Sequence, residues 1–236
     1  MAFGTERTAA RGAEAREVFD AGLRAHMLRV YNYMASGLAL TGIVAFAAAR
    51  YGLYEALAGT PLIWVVMLAP LGFVFFLSFK IQTMRASTAQ TLFWAFAGIM
   101  GLSMAGIFLV FTGASIARVF FITAATFAAM SLWGYTTKRD LSGMGSFLFM
   151  GLIGIILASL VNMFIGSSAL HFAISVIGVI VFVGLTAYDT QRIKNEYAEW
   201  HDAETSGKLA IMGALRLYLD FINLFMILLH FLGDRR

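Results

Sequence analysis

The chain has no cysteine, only two prolines, and charged residues at just 13% of its 236 positions. The missing cysteines exclude disulfides and thiolate metal or redox centres, and say nothing about compartment. The scarcity of charge, beside 60% hydrophobic residues and a mean hydropathy of +0.81, excludes a soluble domain of this length. The chain is therefore read as an integral membrane protein. Also missing are a Walker A sequence, a dinucleotide fingerprint, His-Glu-x-x-His and Gly-x-Ser-x-Gly, so enzyme chemistry finds no foothold and no enzyme is expected. His26, His171, His201 and His230 fall near span ends or in a loop and do not converge on a metal. The net charge of +4 does not point to nucleic acid, because Lys and Arg gather between apolar runs, where topology accounts for them.

What is present is a series of seven apolar runs, at 30–49, 62–79, 91–111, 119–135, 147–165, 169–188 and 209–232. Most have the roughly 20 residues that a hydrocarbon core of about 30 Å demands. The runs are continuous rather than alternating with period two, which predicts helices and not a barrel. The expected class is all-α, with a polar cytoplasmic N-terminal arm over 1–27 and a seven-helix membrane domain over 28–236. Nothing in the arm resembles a cleaved signal peptide; it is read as mobile, with 9–29 able to form a surface helix.

Basic residues set the orientation. Arg7, Arg11, Arg16, Arg24 and Arg29 lie in the arm. Lys80 with Arg85, Lys138 with Arg139, and Arg192 with Lys194 and Lys208 lie in the second, fourth and sixth connections, against Arg50 and Arg118 in the others. This bias predicts a cytoplasmic N-terminus. Seven crossings put the C-terminus outside, although Arg235 and Arg236 favour the cytoplasm and leave a re-entrant last segment as the alternative.

Small residues at helical spacing predict close packing. Ala97, Gly101 and Ala105 form one stripe in the third span. Ala124 with Ala128 and Ala125 with Ala129 do so in the fourth, and Gly178 and Gly184 thin the sixth.

Asp220 stands out because it interrupts the last apolar run, where an ionisable group costs roughly 2.5–3.5 kcal/mol on insertion scales. The nearest candidate to offset that cost is Asp189, which closes the preceding run. At about 1.5 Å per residue the two depths differ by about 7 Å, an offset that tilt or a helical extension through 190–193 would absorb. Two carboxylates in a low-dielectric site cannot both ionise cheaply, so one proton is shared and the pair becomes a pH sensor. Fully charged, it offers hard oxygens to a divalent cation such as calcium, or acceptors to a Lys or Arg. The bland reading is a static salt bridge, Asp220 with Arg216 one turn earlier on the same face and Asp189 with a Lys or Arg at the interface. Asn223 is read as path-lining or as an interhelical hydrogen-bond partner. Tyr188 and Tyr218 flank the pair, either as hydroxyl partners or as packing. An aspartic intramembrane protease is the competing chemistry, against which the Gly-x-Gly-Asp sequence is absent.

Tyr188-Asp189-Thr190-Gln191-Arg192-Ile193, then Leu217-Tyr218-Leu219-Asp220-Phe221-Ile222-Asn223-Leu224-Phe225, together with Lys138-Arg139-Asp140-Leu141-Ser142, resemble the bacterial branch of the transmembrane Bax inhibitor motif family. The resemblance runs from about Arg29 onward. It implies a seven-helix fold with a central seventh helix wrapped by the other six, in the bacterial inner membrane. It also implies a pH-sensitive calcium leak without a cofactor, its di-aspartyl sensor falling on Asp189 and Asp220. A basic latch near the cytoplasmic end of the second helix falls on Lys80 or Arg85, with Lys80 preferred. Arg216 departs from the family pattern and should hold Asp220 ionised to lower pH. Protons, calcium and the bilayer are the expected partners. A different class of function also fits the resemblance: an interaction protein that modulates a membrane protease or other assembly.

Overall fold

The computed structural model describes the backbone of residues 2–198 and 201–236, and within those ranges the side chains from residue 19 onward. The described residues form helices α1 (Ala2–Arg50), α2 (Leu53–Ala58), α3 (Leu62–Lys80), α4 (Ala86–Met104), α5 (Ile107–Val110), α6 (Gly113–Thr136), α7 (Ser142–Ile165), α8 (Ser168–Glu196) and α9 (Ala203–Leu232). Seven stretches are long and apolar enough to cross a membrane: Phe19–Arg50, Leu62–Lys80, Ala86–Val110, Gly113–Thr136, Ser142–Ile165, Ser168–Glu196 and Ala203–Leu232. Each contains or overlaps one of the runs read from the sequence.

Local chemistry sets the boundaries. Side-chain oxygens of Thr112, Ser167 and Asp202 accept from the backbone N–H of Ser115, Leu170 and Thr205, capping α6, α8 and α9. Gly166 closes α7 at φ 67°, a left-handed conformation that a Cβ would strain. Two boundaries differ from expectation. The charged sixth connection, placed by the apolar runs between residues 188 and 209, is largely helix: α8 continues to Glu196 and α9 begins at Ala203. The arm and the first span form one unbroken helix, with no change of backbone at 27/28.

The last helix is the centre of the fold. Its span is 67% buried, against 11–33% for the other six. It packs against α1, α4, α6 and α8, while α3 lies outside on α4 and α7 outside on α8. The wrapping is thus done chiefly by four spans rather than six. Phe93 and Phe96 of α4 meet the ring of Tyr218 edge-on, and Phe127 of α6 meets Phe221. Such tilted pairs add to the burial of their large apolar surfaces.

Some small-residue stripes act as expected. Ala97 and Ala105 are fully buried, and a Cβ on Gly101 would lie 2.6 Å from the Thr41 carbonyl oxygen of α1. Gly178 sits under Ile227 and Gly184 under Leu148. In α6 the expectation fails: Ala125, Ala128 and Ala129 are exposed, and the close approach is made at Gly134, where a Cβ would overlap the backbone of Ala187.

The C-terminal end of α9 is tied to the connection between α5 and α6. Thr112 N–H donates to Asp234 O, Arg236 N–H donates to Val110 O, and Arg118 pairs with Asp234 at 2.9 Å. Its opposite end meets the α3–α4 connection, where Lys208 donates to the Gln82 carbonyl. Helix α9 therefore runs from one face of the bundle to the other, and the re-entrant alternative is not adopted.

Candidate functional site

The carboxyl groups of Asp189, near the end of α8, and Asp220, mid-way along α9, lie within hydrogen-bonding reach of each other. Helix α8 continues past Asp189 to Glu196, so both carboxyls are carried on helical backbone. Asp220 is 6% exposed, and its Oδ2 has no hydrogen-bond partner among the described residues. A buried carboxyl oxygen left without a donor is costly as an anion, and the cost falls if a proton or a cation takes that place.

Arg216 lies near both aspartates but gives its hydrogen bonds elsewhere. Its Nη1 is 2.9 Å from both carboxylate oxygens of Glu196, in the last turn of α8. Arg192 reaches the same carboxylate at 3.0 Å. The simple ion pair of Asp220 with Arg216 is replaced by a chain from the aspartates through Arg216 to Glu196 and Arg192. Glu196 was missed in the sequence reading. The signal was present, since Glu196 follows Asp189 by seven residues and so shares its helix face if α8 continues.

The structure does not bring the expected latch to the pair. Lys80 and Arg85 are exposed and make no ion pair among the described residues. The reason is positional: α3, which ends at Lys80, packs on α4 outside the central helix. The cations beside the carboxylates are Arg216 and Arg192.

The remaining candidates separate cleanly. Tyr218 is fully buried and its hydroxyl lies 2.6 Å from Thr41 Oγ1, which also donates toward the Ala97 carbonyl; the tyrosine ties α9 to α1 and α4. Tyr188 packs its ring over Gly145 of α7. Neither hydroxyl is hydrogen-bonded to the pair. Asn223 is exposed on α9 and makes no side-chain hydrogen bond among the described residues, whereas Asp220, one turn earlier, points inward.

A hydroxyl chain runs beside the pair. Tyr31 lies 2.6 Å from Ser131, Ser131 lies 2.9 Å from Thr190, and Thr190 donates to the Thr186 carbonyl at 2.7 Å. Gln191, the next residue, clamps the connection between α6 and α7. Its Oε1 accepts from Leu141 N–H and its Nε2 donates to Arg139 O, both at 2.8 Å. The two sequences 188–193 and 138–142 thus meet in space. In that connection Asp140 accepts from Ser142 N–H at 2.9 Å, and hydrogen bonding to Ser142 holds its carboxyl below the usual carboxylate range.

As a cation site the pair is sparse. Calcium takes six to eight oxygen ligands, and among the described residues no group of three or more His, Cys, Asp or Glu side chains is placed to hold a metal. Glu196, the third carboxylate, is held by two arginines. The donor set suits a cation in passage, or a proton, better than a tightly held resident ion.

These features define a polytopic helical membrane protein with a carboxylate pair between its last two long helices. The chain belongs to the family described as inhibitor of apoptosis-promoting Bax1, whose model matches residues 23–236. It is 50% identical to the inner membrane protein YbhL of Escherichia coli over 220 residues, covering 92% of this chain and 94% of that protein. It is 51% identical to RP147 of Rickettsia prowazekii, covering 93% and 94%, and 34% identical to the Streptococcus pyogenes membrane protein SpyM3_0260, covering 91% and 94%.

Proposed function

We propose that the protein is a pH-sensitive cation leak pathway of the bacterial inner membrane, with calcium as the permeant class of ion and the Asp189 and Asp220 pair as its sensor. The observation that carries this reading is the buried Oδ2 of Asp220, which has no partner among the described residues while a second carboxyl lies in reach. Sharing one proton lets the pair satisfy itself. Losing that proton leaves two anions that draw on Arg216 or on a passing divalent ion. Protonation therefore weakens the hold of the cationic chain on α9 and lets the central helix shift, while calcium competes with the proton for the same oxygens. The protein acts by passage of ions and not by catalysis.

The test is calcium influx into liposomes holding a calcium-sensitive dye, measured between about pH 5 and about pH 8, the range in which folded proteins are generally most stable. Wild type is compared with Asp189→Asn and Asp220→Asn. Influx that varies with pH, and loses that dependence in either variant, is the expected result. Folded, equally silent preparations of all three would overturn the leak and leave an interaction role, such as modulation of a membrane protease, as the reading to pursue.

A further inference from the structure

Helices α1 and α6 both flank α9 and meet each other at the hydroxyl contact of Tyr31 with Ser131. Between them lies an apolar groove of about 1000 Å³, floored by Phe221 and walled by side chains such as Leu28, Leu38, Phe120 and Leu132. Leu28 and Leu132 are 53% and 63% exposed, so the groove opens sideways. Ala124 and Ala128 also line it. On sequence grounds that small-residue pair should seat another helix; here it widens a slot. Two hydroxyls in the middle of its wall are already satisfied, Tyr31 by Ser131 and Ser131 by Thr190. The middle of the groove therefore offers little to water, and leaving it empty would forfeit the contacts of its whole lining.

One end differs from the rest. Arg24 of α1 lines it, exposed and without an ion pair among the described residues. Across from it Tyr135 of α6 carries the ammonium of Lys194, which donates to the Tyr135 carbonyl at 2.8 Å and stands 5.1 Å over its ring. No acidic side chain lines the groove; on α1 the nearest in sequence is Asp20, one turn before Arg24. The slot is thus hydrocarbon along its length and cationic at one end, the complement of an amphiphile with apolar tails and an anionic head.

We propose that this groove is a binding site for an anionic phospholipid, its acyl chains lying between α1 and α6 against Phe221 and its phosphate headgroup at Arg24, with Lys194 adding to the field. A zwitterionic lipid fits the same hydrocarbon slot but brings no net charge to the cationic end, so the site discriminates by headgroup. The assignment does not depend on the ion pathway, although its floor residue adjoins Asp220 in the chain.

The test uses the full chain in nanodiscs of phosphatidylcholine containing a trace of phosphatidylglycerol or phosphatidylcholine, each carrying the same photoactivatable acyl chain. Labelled peptides are then mapped by mass spectrometry. The phosphatidylglycerol probe is expected to label the groove peptides of α1 and α6 about five-fold more than the phosphatidylcholine probe, the effect of one basic residue near an anionic headgroup. Arg24→Gln should remove that preference without changing helical content or elution from a sizing column. Ala128→Trp, which fills the slot, should remove groove labelling by both probes and leave labelling of the outer face of α7 intact. Arg24 is exposed, so its variant decides the matter even if Ala128→Trp fails to fold. Equal groove labelling by the two probes, a preference that survives Arg24→Gln, or groove residues cross-linked to a second copy of the chain would each overturn the proposal.

Discussion

Arg216 and Glu196, twenty positions apart, form a chelate in which one guanidinium nitrogen lies 2.9 Å from both carboxylate oxygens. The contact joins the last turn of α8 to α9 one turn before Asp220. It occupies the cation that helical spacing alone would assign to Asp220 and leaves that aspartate's Oδ2 without a partner among the described residues. Both side chains are about a quarter exposed, so the pair is partly screened by its surroundings.

Glu196→Gln should free Arg216 to turn toward Asp220 and Asp189. A cation nearer the carboxylates favours their charged form, so stronger acid is needed to protonate them. The midpoint of pH-dependent calcium influx should move acidward, and Arg216→Gln should move it the opposite way. Midpoints that do not move in either variant would remove Arg216 from the sensor.

Asp220→Asn should leave the fold intact. The substitution removes a carboxyl whose desolvation is not offset at one oxygen and puts in its place a neutral amide of similar volume, which costs less to bury than an anion. Thermal unfolding in detergent at neutral pH should show the variant at least as stable as the wild type. A clear loss of stability would mean that the carboxylate is a structural anchor.

Gln191→Ala strips the connection between α6 and α7 of two hydrogen bonds. Leu141 is 4% exposed, so its N–H is left buried and unpaired. The expected cost is about 1–3 kcal/mol. Hydrogen exchange should rise at 139–142 and at the first turn of α7; unchanged exchange there would show that the two segments do not depend on each other.

Asp202 caps α9, accepting from Thr205 N–H at 2.7 Å, and its hydrogen bonds to Thr205 hold its carboxyl below the usual value of 3.8. A group whose folded value is depressed contributes stability above its unfolded value and loses it as pH falls through the folded one. The first turn of α9 should therefore stay protected from hydrogen exchange at neutral pH and fray only below the ordinary carboxylate range. Asp202→Ala should show the same fraying at neutral pH. Fraying that sets in well above that range would point to a different group.

The sequence by itself determined the seven apolar runs long enough to cross and the rough depths of Asp189 and Asp220, while their meeting waited on which helices are neighbours. The runs and the depths follow from one-dimensional quantities: hydrocarbon thickness fixes how many apolar residues a span needs, and the rise per residue fixes the depth of each carboxyl. Gly101, Gly178 and Gly184 were likewise legible, because a missing side chain allows close approach by whichever helix is adjacent. Only the tertiary structure decided which helix that was. It decided that Arg216 binds Glu196 instead of Asp220, that Lys80 lies on an outer helix away from the pair, and that Ala124 and Ala128 face an open groove instead of a neighbour. Each depends on how helices are arranged around α9, and the nonspecific affinity of apolar surface for lipid leaves that arrangement unspecified until small residues and interhelical hydrogen bonds select it.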